Sequence, residues 1–271
     1  MNMPGPLRSQ RRSTVLAGLS LLGMAGCTPV RGPRLVPLPA VSRPEPAPRS
    51  QRRAEREALL RASHTHLISL AAAHQQLANQ SALAERIRHL AIPLRSAVEA
   101  IRADSSSTSW PIDVVVTGEG ADVIPLLPAS LVLVIDADHP VVQSGDLLSA
   151  LIAHGLAHGL RDHALEADGL IDGLPQFSLI QEREADRDTC EILARAGLEP
   201  MLAWHLRKAL VRAADGSTSN GLARPARTDP FGAGQSQQWA RRHPAPPRAQ
   251  QSIESFAARV EPLRAAAAAV R

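Results

Sequence analysis

Apolar residues recur at helical intervals between positions 51 and 103, where Leu59, Leu60, Leu67, Leu70, Leu77, Leu83, Ile87 and Leu90 fall among polar neighbours, the period of helices with one apolar face. Pro93 predicts a kink or break there, because its ring removes a backbone donor. The pattern then changes. Residues 105–109 read as a loop, and Trp110-Pro111-Ile112-Asp113-Val114-Val115-Val116-Thr117 and Leu131-Val132-Leu133-Val134-Ile135 have strand composition, with residues 118–130 as a proline-containing connection. A helical pattern returns from Ser144, a good capping residue, to about His163. A second one spans about 179–196 and is closed by Gly197. The expected architecture is α+β: a mostly helical domain with a small sheet beside the 144–163 helix.

Ahead of these elements the chain follows another logic. Arg8, Arg11 and Arg12 precede a short apolar run from 15 to 24, and Ala25-Gly26-Cys27 closes it with small residues before a cysteine. This resembles a bacterial lipoprotein signal over residues 1–26, with lipid attached to Cys27. The run is too short to cross a membrane. Thr28, in place of aspartate, implies by the same resemblance sorting to the outer membrane, so the expected location is the envelope, lipid-anchored and facing the periplasm. Residues 27–50 carry Pro29, Pro33, Pro37, Pro39, Pro44, Pro46 and Pro48 among arginines, a composition that makes an extended solvated tether. The domain expected beyond it covers 51–271, with helices at 51–103, a core at 110–215 and a C-terminal loop and helix at 239–270.

Composition narrows the partners. The sequence-derived pI is about 10.2, but 30 basic residues face 26 acidic ones for a formal net charge of +4. Three of those positive charges lie in the leader, so the rest is close to neutral. No basic stripe alternates with aromatics, which make up only 2% of the chain, and a nucleic-acid partner is not expected. Apolar residues make up 44% with no tyrosine, so the core is aliphatic. With Cys27 acylated, Cys190 has no partner for an intramolecular disulfide and is expected to be a small buried apolar residue. His64, His66, His74 and His89 show no ligand spacing and read as surface or satisfied residues.

The chemistry concentrates in two segments, His154-Gly155-Leu156-Ala157-His158 and Glu182-Arg183-Glu184-Ala185-Asp186. Histidines at i and i+4 on a helix face the same way, and a carboxylate from elsewhere completes a His₂Glu metal set. Alone, the pair reads equally as two core histidines held by hydrogen bonds. Glu182, Ala185, Asp186, Thr189 and Leu193 share one stripe of the second helix, opposite Arg183, Arg187, Glu191 and Arg195. Two carboxylates on an apolar face need a cation or donors, which favours zinc.

At these residues the chain resembles the HtpX and CAAX-prenyl-protease type of zinc metallopeptidases, including their periplasmic lipoprotein members. That family shows HExxH, then ExxAD, then a helix ending in Gly and an acidic-Pro step, matched here by His154 to His158, Glu182 to Asp186 and Ala196-Gly197-Leu198-Glu199-Pro200. His163 matches a frequent family histidine, and Arg242-His243-Pro244-Ala245-Pro246-Pro247-Arg248 resembles the family's HP…R element, one residue shorter. The family's Asn-Ala…Pro-Gly-Gly segment is reduced to Pro128-Ala129-Ser130. The resemblance implies a zincin-like fold, zinc ligands at His154, His158 and Glu182, and Asp186 orienting a ligand histidine. It also implies His243, assisted by Arg248, as partners of the oxyanion.

One departure decides the expected activity. The position after the first histidine holds, in that family, the glutamate that takes a proton from the attacking water, and here it is Gly155. Glu184, about 160° round its helix from the Glu182–Asp186 face at about 100° per residue, and Glu166, placed in a loop, are poor substitutes. Three readings follow: a zinc-binding envelope lipoprotein with weak or lost hydrolysis that binds envelope or unfolded proteins, a working zinc endopeptidase with a substitute base, and a metal-free structural lipoprotein.

Overall fold

Helix, not sheet, makes up most of the computed structural model, which describes residues 48–102, 111–117, 121–127, 130–167, 169–171, 174–214 and 247–269. The chain folds in the order α1 (Arg49–Ala73), α2 (Ala82–Ile101), β1 (Ile112–Thr117), β2 (Ala121–Leu127), β3 (Ser130–Asp136), α3 (Pro140–Gln143) and α4 (Gly145–Leu160). After these come α5 (His163–Glu166), β4 (Gly169–Ile171), β5 (Leu174–Gln176), α6 (Leu179–Arg195), α7 (Leu202–Ala214) and α8 (Pro247–Ala269). No described helix is long and apolar enough to cross a membrane. The first helix begins at Arg49, two residues inside the stretch expected to be tether. Cys27 and His243 lie outside the described residues, and Arg248 falls in the first turn of α8 with its side chain outside the description.

The break between the first two helices falls at 74–81, not at Pro93, which sits inside a continuous α2. Helix α1 ends with Gln75 in the left-handed region at φ 58°, Gln75 N–H donating to Ala72 O and Gln76 N–H to Ala71 O at 2.8 Å. This is the closing motif that glycine usually supplies. The turn has a structural return. Residues 76–78 then run along β1, with Ala78 N–H donating to Val114 O and Val116 N–H to Gln76 O, each at 2.8 Å, so one edge of the sheet is covered. Pro93 costs α2 only the bond to the carbonyl of His89, an exposed residue that water reaches.

The main sheet has the order β1-β3-β2, with β1 parallel and β2 antiparallel to the central β3. Strand β2 lies within the stretch expected to be a connection. It accommodates Pro125 because it pairs only with β3 among the described residues, and the register shifts between Pro125 and Leu127, as edge strands allow. Val114, Leu131, Leu133 and Ile135 face a large core shared with α2, α4, α6, α7 and α8. Val115, Val132 and Val134 face a smaller core with α1 and α5. A sheet covered on both faces explains why β3 reads as an unbroken apolar run rather than an alternating one. A short β4–β5 hairpin, which the pattern had not indicated, joins α5 to α6.

Candidate metal centre

Helix α4 carries the two histidines through the larger core. Ser144 caps it, its hydroxyl accepting from Leu147 N–H at 3.3 Å, and every residue from Leu148 to Gly159 is buried. A helix apolar all round must be enclosed all round. It ends at Leu160, three residues short of the expected limit, and Asp162 in the left-handed region at φ 55° turns the chain so that His163 opens α5 and faces back toward α4. Helix α6 crosses alongside, started by a capping box in which Ser178 Oγ accepts from Gln181 N–H and Gln181 Oε1 accepts from Ser178 N–H. Gln181 Nε2 also donates to His163 O at 3.4 Å, which ties the start of α6 to α5. Gly197 at φ 73° closes α6, as its sequence indicated.

The crossing brings three side chains together. His154 Nε2 and His158 Nε2 stand 3.2 Å apart, and Glu182 Oε2 lies 3.5 Å from the first and 3.4 Å from the second. All three residues are buried, and their donor atoms form a group that could hold a metal ion. Burial pushes the His158 imidazole down to about 3, against the opposing pull of Glu182. At ordinary pH it is a neutral ring that offers a lone pair. An ionised carboxylate in so dry a place costs several kcal/mol to desolvate, and a cation shared by the three donors would offset that cost. Gly155, next to His154, is buried and brings no side chain.

The surroundings hold both rings. Thr189 Oγ1, which donates to Ala185 O at 2.6 Å, lies 3.5 Å from His154 Nδ1. Asp186 lies on the face of α6 that carries Glu182, but its Oδ1 is 3.9 Å from His154 Nδ1, beyond a hydrogen bond, and its Oδ2 receives Arg207 from α7 at 2.9 Å. Arg207 is itself buried and had no signal in the sequence beyond being an arginine in a helix. Behind His158, the ring of Phe177 lies 4.0 Å away between centroids. His163 Nδ1 lies 3.1 Å from His158 Nδ1, and His163 Nε2 lies 3.3 Å from Glu184 Oε2. Burial lowers the His163 pKa, while Glu184 opposes the shift.

The other candidates lie apart from this cluster. Glu184 is turned toward His163, and Glu166 is exposed on α5, where with Glu55, Leu59, Leu165 and the arginines Arg49, Arg52, Arg53 and Arg56 it lines a cavity of about 850 Å³. His64 pairs with Asp113 at 3.0 Å, and His66, His74 and His89 are exposed. Cys190 is a buried free thiol. Comparison with family models, curated proteins and solved structures finds no match to this chain.

Proposed function

We propose that the protein is a zinc-binding lipoprotein of the cell envelope, with a zincin-like fold of the HtpX and CAAX-prenyl-protease type in which hydrolysis is weak or lost. The observation that carries this reading is the 3.2, 3.4 and 3.5 Å triangle of His154, His158 and Glu182. Four ligands held tetrahedrally at about 2.0–2.1 Å stand about 3.3–3.4 Å apart, the spacing of a zinc site. Imidazole donors suit zinc, copper, iron and nickel alike, so the choice of zinc rests on the resemblance. Magnesium and calcium prefer oxygen alone.

When bound, a zinc ion supplies Lewis acidity to a carbonyl and to an attacking water. The protein must supply the proton acceptor, and Gly155 has none. Among the described residues neither Glu184, engaged with His163, nor Glu166, exposed on α5, takes that place. General base catalysis is worth about 10² to 10⁴-fold, so the substitution leaves metal binding intact and removes most of the rate. Under this reading the resemblance assigns the oxyanion to His243, assisted by Arg248. Clients are envelope or unfolded proteins, for which β2, paired on one side among the described residues, offers an edge to an extended segment.

The test is zinc stoichiometry together with cleavage of an unfolded protein, on the wild type and on Gly155→Glu. The reading expects about one zinc per chain in both, with chelator-sensitive cleavage only in the variant. Cleavage by the wild type that is lost on chelation would replace it with the working endopeptidase, and a wild type without metal would leave the structural lipoprotein. The anchor is tested separately. Cys27→Ser should leave an unprocessed precursor without lipid label, and normal acylation in that variant would remove the envelope assignment.

A further inference from the structure

Resting on that zinc site, we propose that His163 and Glu184 are positioning residues: a two-step chain of hydrogen bonds, begun at the partly exposed Glu184 carboxylate, that fixes His158 in the one tautomer able to bind a metal. His158 sits in the middle of a line. Its Nε2 belongs to the ligand triangle, its Nδ1 lies 3.1 Å from His163 Nδ1, and His163 Nε2 lies 3.3 Å from Glu184 Oε2. The Glu184 side chain is 39% exposed while that of His163 is 3% exposed, so the line runs from the surface to the buried ligand.

A neutral imidazole has one N–H and one lone pair, so the proton between two facing Nδ1 atoms can lie on only one of them. The two directions differ once a cation occupies the triangle. Without one, a carboxylate stands at each end of the line, because His158 Nε2 is 3.4 Å from Glu182 Oε2, and a proton on Nε2 is taken up there. With a cation held by Glu182 and the two rings, His158 Nε2 must turn its lone pair inward, so its proton lies on Nδ1 and is donated to His163 Nδ1, and His163 Nε2–H is donated to the Glu184 carboxylate. Every contact along the line then pairs a donor with an acceptor. Glu184 therefore supports the metal-binding direction of both rings against the pull of Glu182. Partners behind a ligand histidine typically account for a 10 to 100-fold range in metal affinity.

Two substitutions at His163 separate this role from simple packing. Asparagine places Oδ1 near the position of Nδ1 and so keeps an acceptor for His158, whereas glutamine keeps a donor near Nε2 for Glu184 but loses that acceptor. Cobalt(II) affinity, read by titration of the visible spectrum of the full-length protein in detergent, should fall about 10 to 100-fold in H163Q. In H163N it should stay within about threefold of wild type, by the same reasoning on the retained acceptor. Glu184→Ala should weaken cobalt binding in the wild type and change nothing further in H163N, since the link is already cut. The melting temperature of the metal-free protein should be similar in H163Q and H163N.

Equal weakening in H163Q and H163N, or an additive effect of Glu184→Ala in H163N, overturns the proposal and leaves His163 as packing. A measurement without substitution guards against misfolded variants: nitrogen-15 spectra of the zinc-loaded wild type should show the ring proton of His158 on Nδ1 and that of His163 on Nε2. The opposite assignment refutes the selection. A wild type that binds no cobalt or zinc overturns the metal site itself, a result distinct from metal binding that ignores His163.

Discussion

Helices α4 and α6 supply the same site and are made in opposite ways. Residues Leu148 to Gly159 of α4 are buried without exception, so its side chains have no solvent face to be sorted from. Helix α6 has two faces: Glu182, Ala185, Asp186, Thr189 and Leu193 are buried, while Arg183 and Arg187 are exposed. The difference bears on how much each histidine or carboxylate says about function. On a helix enclosed all round, an inward histidine is unsurprising and reads equally as core. On a two-faced helix, acidic groups on the buried side are costly and call for a partner. What makes His154 and His158 candidate ligands rather than core residues is therefore Glu182, on the other helix.

The largest expected effect breaks the comparison at α4. Leu151 and Leu156 lie about 140° apart around the helix at about 100° per residue, and both are fully buried. Each truncation to alanine should cost about 2–5 kcal/mol of unfolding free energy in denaturant titrations. On α6, Leu193→Ala should cost a similar amount, and Arg187→Ala should stay within about 0.5 kcal/mol. A cost below about 1 kcal/mol at either α4 leucine would mean that one side of the helix is open.

Under the proposed zinc reading, chelation sharpens the comparison at the shared site. A ligand that binds only the folded state stabilises it by RT ln(1 + [L]/Kd), about 2.7 kcal/mol at a hundredfold excess over Kd. A chelator should lower the melting temperature of the wild type and leave His154→Ala, His158→Ala and Glu182→Ala almost unmoved, with His66→Ala, an exposed residue, behaving as wild type. Equal sensitivity in the Glu182 variant and the wild type would show that α4 binds metal without α6, against the division of labour between the two helices.

Helices α4 and α6 were legible, apart from the C-terminal end of α4, because caps and faces are local properties. Ser144, Gly197 and the stripe on α6 are each decided within a few residues. What escaped the sequence depends on pairing at a distance or on an unusual residue at a turn. Gln75 adopts a conformation expected of glycine, which hid the break between α1 and α2, and Pro125 argued against a strand until β2 proved to lie at an edge. Glu184 was set aside because helical spacing points it away from Glu182. That spacing holds, but the turn at Asp162 brings His163 round to meet it. Arg207 reaches Asp186 from a third helix, and no spacing rule connects the two.

The smallest effect at neutral pH lies at Cys190, on the buried side of α6. Burial, assisted by the charge of Asp186, pushes its thiol up to about 12, against about 8.5 in an unfolded chain. Between those values the folded protein keeps a proton that the unfolded chain releases, so unfolding becomes easier as the pH rises through the window. The contribution is complete below about pH 8.5 and is lost progressively toward 12. This chain suits the measurement, because it contains no tyrosine and Lys208 is its only lysine, leaving few other groups that titrate in that range. The stability lost between about pH 8 and pH 10 should be about 1–2 kcal/mol greater in the wild type than in Cys190→Ala. The thiol should also resist alkylation at about pH 8 until the protein unfolds, because the reactive thiolate is nearly absent. Rapid modification of the folded protein, with an identical alkaline loss in both proteins, would place Cys190 at the surface and undo the buried face of α6 on which the contrast with α4 depends.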